Sequence, residues 1–301
     1  MTNLKSILLL VFVSMGLLVS CVKEEDGITN PTTITPEPAE IISTSLFGRV
    51  VDDNDQPIIN ALVTLKTGTE AMDIMTDDMG QFYFDDIMNK GASAFLSIQS
   101  DGKFEAFRRY SVLKDRNNYT EIKMQDKRII GSVDASLGGT LNNGNGAEIE
   151  LQANGIVDGS GNIYTGDVDV AMAWIDPSAS DLAAQMVGDL SAIDMEGRRR
   201  SLATYGMLQV ELLDAMGNEL NIATGSAATL QFPVPAELQA NAPSTIPLWS
   251  YDEEIGTWIE EGSATYQNGV YRGSVTHFSS WNVDFMFDPI EITGEVKINV
   301  E

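Results

Sequence analysis

Few side chains in this sequence can serve as nucleophile, general base or soft metal ligand. There is one cysteine, Cys21, and one histidine, His277. A disulfide framework and a Cys/His zinc site are therefore excluded, and any Ser-His or Cys-His chemistry has to pass through His277. His277 lies in the run Tyr271-Arg272-Gly273-Ser274-Val275-Thr276-His277-Phe278-Ser279-Ser280-Trp281-Asn282, which reads as a strand. Ser279 would share its face but stands ~6.6 Å further along. No G-x-S-x-G elbow is present, and one histidine cannot make an H-E-x-x-H zinc motif. His277 therefore reads as a packed, hydrogen-bonded strand residue, and the chain as a non-enzyme.

Carboxylates are abundant, at Glu253/Glu254, Glu260/Glu261, Asp52/Asp53/Asp55 and Asp77/Asp78. A glycosidase needs two of them ~5–9.5 Å apart across a cleft, so a carboxylate-dependent hydrolase using Glu253 is the third reading. Asp52, Asn54 and Asp55 place hard oxygens in one loop, which makes them the calcium candidate, although the EF-hand spacing with its glycine and distal glutamate is missing. No other cofactor is expected. Trp249, Tyr251 and Trp258 are the candidate ligand-binding aromatics, a platform on which sugar rings would stack. Of the four tryptophans (Trp174, Trp249, Trp258, Trp281), at least two belong in a core, because aromatics dominate sandwich interiors.

Charge narrows the partners. The 301 residues carry 44 acidic and 18 basic side chains, a formal charge of -26. Such a chain repels phosphate backbones, so nucleic acid is not an expected partner. The basic run Arg198-Arg199-Arg200 reads as loop decoration. With 43% hydrophobic residues the chain can fill ordinary cores.

The elements that carry these residues begin with an address. Lys5 precedes an apolar run from Ile7 to Val19 of ~13 residues, too short to span ~30 Å of hydrocarbon comfortably. The pattern is that of a secretory signal. Leu18-Val19-Ser20-Cys21 resembles the bacterial lipobox. The resemblance implies that the Cys21 thiol is acylated and becomes the new N-terminus, a membrane anchor in which each buried CH2 contributes ~0.8 kcal/mol. Val22-Lys23-Glu24-Glu25-Asp26 resembles the lysine-plus-acidic signal of surface lipoproteins in some Gram-negative bacteria. This implies a lipid-anchored outer-membrane protein facing the cell exterior. Residues 27–43 read as an extended Pro/Thr linker.

From Leu46 the signals are short alternating runs cut by Asp, Asn and Gly: Leu46–Val51, Ala61–Lys66, Gln81–Phe84, Ala94–Ile98 and Tyr119–Met124. Spacings of ~8–12 residues with turn chemistry between them predict an antiparallel sandwich. Gly48-Arg49-Val50-Val51-Asp52, Gln56-Pro57-Ile58-Ile59-Asn60-Ala61-Leu62-Val63 and Thr76-Asp77-Asp78-Met79-Gly80-Gln81-Phe82 resemble the carboxypeptidase regulatory-like domain, a transthyretin-like sandwich without catalytic residues. Asp55 and Asn60 replace two of its glycines, and both tolerate a left-handed backbone.

The second unit opens with Arg128–Val133 and includes a long strand ending at Trp174, a helical turn within Asp181–Met186 and Met207–Leu212. Ala228–Phe232 follows, and the prolines Pro233 and Pro235 after it suit a sheet edge. Ile246–Gly262 reads as a hairpin turning at Asp252–Gly256. This hairpin, with His277-Phe278-Ser279-Ser280-Trp281-Asn282, Ile175-Asp176-Pro177 and Gly188-Asp189-Leu190, resembles the extracellular modules of cartilage intermediate layer proteins over residues 137–284. The resemblance implies a binding or scaffold module. Residues 290–300 resemble the opening strand.

The resulting expectation is an all-β chain with two antiparallel β-sandwich domains: signal peptide 1–20, lipidated linker 21–43, sandwiches 44–126 and 127–288, and a terminal strand or truncated further module at 289–301. Its function is expected to be binding, adhesion or scaffolding at the outer-membrane surface, with a protein or glycan partner. A glycan-binding protein using exposed aromatics is the second reading.

Overall fold

The structure is a computed structural model that describes residues 41–67, 70–90, 93–111 and 117–289. Leu18 to Asp26, including Cys21, and the expected terminal strand at 290–300 lie outside the described residues. So does nearly all of the linker. The described residues all fall within one compact unit.

The first lobe has seven strands: β1 (Ile41–Val51), β2 (Leu62–Thr67), β3 (Glu70–Met75), β4 (Gln81–Lys90), β5 (Ser93–Gln99), β6 (Ala106–Ser111) and β7 (Asn117–Lys123). They make two sheets, ordered β4-β1-β7 and β3-β2-β5-β6. The alternation seen in the sequence sends Leu46, Val50, Phe82, Phe84 and Ile122 inward from one sheet, and Val63, Leu65, Leu96 and Ile98 inward from the other. This is the expected sandwich. β1 and β7 run parallel, the one parallel pair described in this lobe.

The second lobe continues with β8 (Ile129–Asp134), β9 (Gly139–Asn142), β10 (Glu148–Leu151), β11 (Ile156–Val157), β12 (Asp167–Ile175), the single turn α1 (Leu182–Gln185), β13 (Ser191–Ile193), β14 (Arg199–Leu213), β15 (Glu219–Ile222) and β16 (Ala228–Pro233). It closes with α2 (Ala236–Gln239), β17 (Thr245–Asp252), β18 (Thr257–Gln267), β19 (Val270–Val275) and β20 (Ser280–Phe287). All thirteen strands join one hydrogen-bonded sheet. Its core takes Val170, Leu208, Phe232, Leu248, Tyr271 and Trp281 from strands far apart in sequence. The expected hairpin is present, with Tyr251 facing Trp258 in register. The sheet-edge reading of the prolines is corrected. β16 lies between β19 and β10, and Pro233 sits opposite Val270 at the strand end, where a missing N–H leaves the ladder intact.

One turn recurs. Asp52, Asp77, Asp158, Asp194 and Asp214 each exchange backbone hydrogen bonds with a residue three or four positions on. In every case Oδ1 also accepts the N–H groups two and four positions on, as Asp214 does from Met216 and Asn218, both at 2.8 Å. The fourth residue has positive φ: Asp55 (61°), Gly80 (72°), Gly161 (83°), Gly197 (77°) and Gly217 (83°). This is a bulged hairpin turn, and it needs a short acceptor first and a left-handed residue fourth. Asp55 and Asn60 (57°) adopt the left-handed conformation expected of them.

Candidate functional site

The aromatics singled out in the sequence converge between the lobes. Phe95 and Phe107 of β5 and β6 pack with Ile175, Leu202, Met207, Trp249, Tyr251 and Trp258. Ring centroids are 5.9 Å apart for Phe95–Phe107, 5.4 Å for Phe107–Tyr251 and 5.1 Å for Tyr251–Trp258, a continuous aromatic chain across the joint. Two left-handed glycines admit it. A Cβ on Gly188 would lie 2.4 Å from the Tyr251 ring, and one on Gly256 2.4 Å from Phe95. Trp249, Tyr251 and Trp258 are 0%, 3% and 0% exposed, so the sugar platform expected of them is corrected: their ring faces are spent on the joint. Burial pushes the Tyr251 hydroxyl well above its usual pKa, and that hydroxyl has no hydrogen-bond partner among the described residues.

Arg108 pins the same joint. It is 5% exposed, and its guanidinium donates to the carbonyls of Ala184 (2.8 Å), Met186 (2.8 Å) and Gly188 (3.2 Å) across the interface. Gly188 N–H returns a bond to Phe107 O at 2.8 Å. Burial lowers the Arg108 pKa to about 10, which still leaves it charged. Lys123 to Asp181 (2.5 Å) bridges the same two lobes, and Lys127 in the connection between them pairs with Glu211 (2.7 Å).

Beside the joint lies a cleft of about 180 Å3, lined by Phe104, Glu105 and Phe107 on one side and by Gln209, Glu211, Glu219, Glu253 and Ser279 on the other. More than a third of Glu253 is open to solvent. Desolvation at the cleft wall, then the charges of Glu105, Glu219 and Glu211, still push its carboxyl up to about 7. The cleft gathers four carboxylates, those of Glu105, Glu211, Glu219 and Glu253, with no histidine in its lining. Ser279 Oγ donates to Ser280 O at 3.1 Å. No group of three or more His, Cys, Asp or Glu side chains is placed to hold a metal among the described residues.

The remaining candidates are structural. Asp52 Oδ1 accepts the N–H groups of Asn54 (2.8 Å) and Gln56 (2.9 Å), while Asp55 pairs with Lys123 at 2.7 Å. The two carboxylates of the calcium candidates Asp52, Asn54 and Asp55 thus turn to different partners. His277 Nε2 faces Glu261 at 3.0 Å, its ring lies 5.0 Å from Trp281, and its carbonyl accepts Trp281 Nε1–H at 3.2 Å. It is the hydrogen-bonded residue expected, but the single strand expected over Tyr271–Asn282 is corrected: β19 ends at Val275 and β20 begins at Ser280, and His277 lies on the bend between them with its side chain partly exposed. Arg198 and Arg200 both bind Asp194, at 2.8 and 2.7 Å, so the basic run braces a turn. Asp284, fully buried with its carboxyl raised by desolvation, is out of any ligand's reach.

A second aromatic group escaped the reading of the sequence. Phe47, Tyr83 and Tyr119 are exposed on the outer face of β4-β1-β7. The alternation in Leu46-Phe47-Gly48 and Phe82-Tyr83-Phe84 already points Phe47 and Tyr83 away from the core. Only the strand register brings the three together.

No family model matches the chain. Among curated proteins it is similar to human cartilage intermediate layer protein 1, 30% identical over 125 residues, covering 40% of this chain and 10% of that protein. Mouse cartilage intermediate layer protein 2 is 31% identical over 165 residues, 51% of this chain and 14% of that protein. The chain thus spans no more than a fifth of the length of these relatives. Solved structures that overlay on it include the Bacillus anthracis TIE protein (TM-score 0.26, 9% identity, 82% of this chain and 48% of that one). The BcpA major pilin subunit of Bacillus cereus gives 0.23, with 10% identity over 77% of this chain and 84% of that one. At such scores an overlay carries no functional argument.

Proposed function

We propose that this protein is a non-enzymatic binding and scaffold protein, anchored through acylated Cys21 in the outer membrane and facing the cell exterior. The observation that carries the reading is the joint. The residues most suited to chemistry or stacking (Trp249, Tyr251, Trp258 and Arg108) are consumed in joining the two lobes into one body. A body joined in this way presents fixed surfaces and has little to move during a reaction cycle. The anionic cleft lacks a nucleophile–base pair, and His277 is engaged with Glu261. The similarity to cartilage intermediate layer proteins supports the same reading.

Two measurements test it. Radiolabelled palmitate should enter the full chain and be absent from Cys21→Ala. Protease added to intact cells should digest the wild-type protein. Label retained in Cys21→Ala removes the anchor, and full protection in intact cells removes the outward orientation.

A further inference from the structure

We infer that the outer face of β4-β1-β7 is a binding surface for an uncharged saccharide, with Phe47, Tyr83 and Tyr119 as its stacking rank. Among the described residues, five aromatic side chains are exposed: Phe47 (41%), Tyr83 (48%), Tyr119 (56%), Phe285 and Phe287. Three of the five stand in one cross-strand row. Phe47 on the central strand is the register partner of Tyr83 on one side and of Tyr119 on the other. Neighbouring strands lie ~4.8 Å apart, so the row runs about 10 Å across the sheet, the reach of a short oligosaccharide. The Phe47 and Tyr119 rings have centroids 4.9 Å apart, inclined at 46°. Exposed rings are costly to keep in water, and a contiguous group of them marks an interaction surface.

The backing is rigid. Phe82, 3% exposed, lies directly beneath Gly48, where an added Cβ would be 2.4 Å from its ring and 2.6 Å from Thr120 O. Gly48 thus lets β1 settle between β4 and β7 with a buried ring on one side and the exposed rank on the other.

The polar fringe decides the occupant. Asp85 Oδ1 accepts Tyr83 Oη–H and Ser45 Oγ–H, both at 2.9 Å, and the Asp86 N–H at 3.0 Å. Its Oδ2 takes none of these. Tyr119 Oη–H donates to Glu121 at 3.4 Å. These carboxylates hold the tyrosine hydroxyls in place and offer acceptors beside the rings, the complement of a ligand with C–H faces and many O–H donors. Nucleic-acid bases also stack on such rings, but their phosphates would meet Asp85, Glu121 and a chain of charge -26. An anionic lipid surface is repelled in the same way. Arg49, the register partner of Glu121, puts one cation on this face, so a second copy would still press two carboxylates per face against a single guanidinium. An uncharged polyol meets none of these penalties. The rank differs from the platform first expected at Trp249, Tyr251 and Trp258, and it does not depend on the lipid anchor.

The test uses the detergent-purified full chain in calorimetric titrations with maltohexaose, cellohexaose, mannohexaose and N-acetylchitohexaose, with a heparin hexasaccharide as the anionic control. At least one neutral hexaose should bind with a Kd below ~1 mM. Phe47→Ala and Tyr119→Ala should each weaken that binding at least ~10-fold, and Tyr83→Ala by less. Phe285→Ala should change nothing, and circular dichroism should be unaltered in all four variants because each side chain is exposed. Failure of every neutral hexaose to bind overturns the inference. So does preference for heparin, or binding that survives Phe47→Ala with Tyr119→Ala together.

Discussion

At the scale of single residues, the acidic character of this chain divides into two groups that respond to pH in opposite directions. Asp158 is held below the usual carboxylate range by the backbone N–H of Asn162, and Asp214 by the side chain and backbone of Asn218. Asp194 is lowered as well. Burial pulls it upward, and the Arg198 backbone with the Arg200 guanidinium outweighs that pull. A carboxyl depressed on folding stabilises above its unfolded pKa, and the contribution disappears as pH falls through the folded value. Glu253 behaves oppositely. Its folded pKa of about 7 exceeds the ordinary 4.5, so its contribution is complete below 4.5 and is lost as pH rises through about 7. Stability should therefore be greatest in mildly acidic solution. Glu253→Gln should raise the Tm by ~2 °C at pH 8 and leave it nearly unchanged at pH 5. Thermal melts of both proteins across that range check this; equal effects at the two pH values would show that Glu253 is ionised throughout.

At the scale of elements, the bulged Asp turn recurs at five strand ends. Gly217 has φ 83° and open space around it, so Gly217→Ala should cost only the left-handed strain, ~1 kcal/mol. Gly80 has φ 72°, and an added Cβ would lie 2.5 Å from Val50 O, so Gly80→Ala should cost roughly 3 kcal/mol or more. Urea midpoints compare the two; equal losses would mean that the β1 contact relaxes freely. These turns, with the alternation between them, are why the strands of the first lobe could be read from sequence, and Asp252 with left-handed Gly256 marks the Thr245–Gln267 hairpin in the same local way. Local chemistry writes such features locally. The expected platform at Trp249, Tyr251 and Trp258 misled for the converse reason: sequence shows an amphipathic ring but not which face another lobe will cover. The true outer rank was half legible, since alternation turns Phe47 and Tyr83 outward. Their alignment with Tyr119 depends on the parallel β1–β7 pairing, made across some seventy residues. Pro233 at the end of β16 and Pro235 beyond it suggest an edge because strand termination and sheet termination leave the same local mark.

At the scale of the whole molecule, the joint makes the two lobes thermodynamically one. They share the Phe95–Phe107–Tyr251–Trp258 chain and the three carbonyls held by Arg108, so calorimetry should show a single unfolding transition. Tyr251→Ala should cost ~3–5 kcal/mol and split that transition in two. Tyr251→Phe should keep it single and be neutral or slightly stabilising, since the hydroxyl it removes is buried and unpaired. A double transition in the wild type would show that the lobes fold independently. The placement of β1 has a mechanical outcome. It is the first described strand, and it sits between β4 and β7, antiparallel to one and parallel to the other. A pull on residue 41 along the strand loads both hydrogen-bond ladders in shear, so they yield together and not one rung at a time. The strand that bears Phe47 is thus also the one best placed to resist being drawn out when something held on that face is tugged by flowing water.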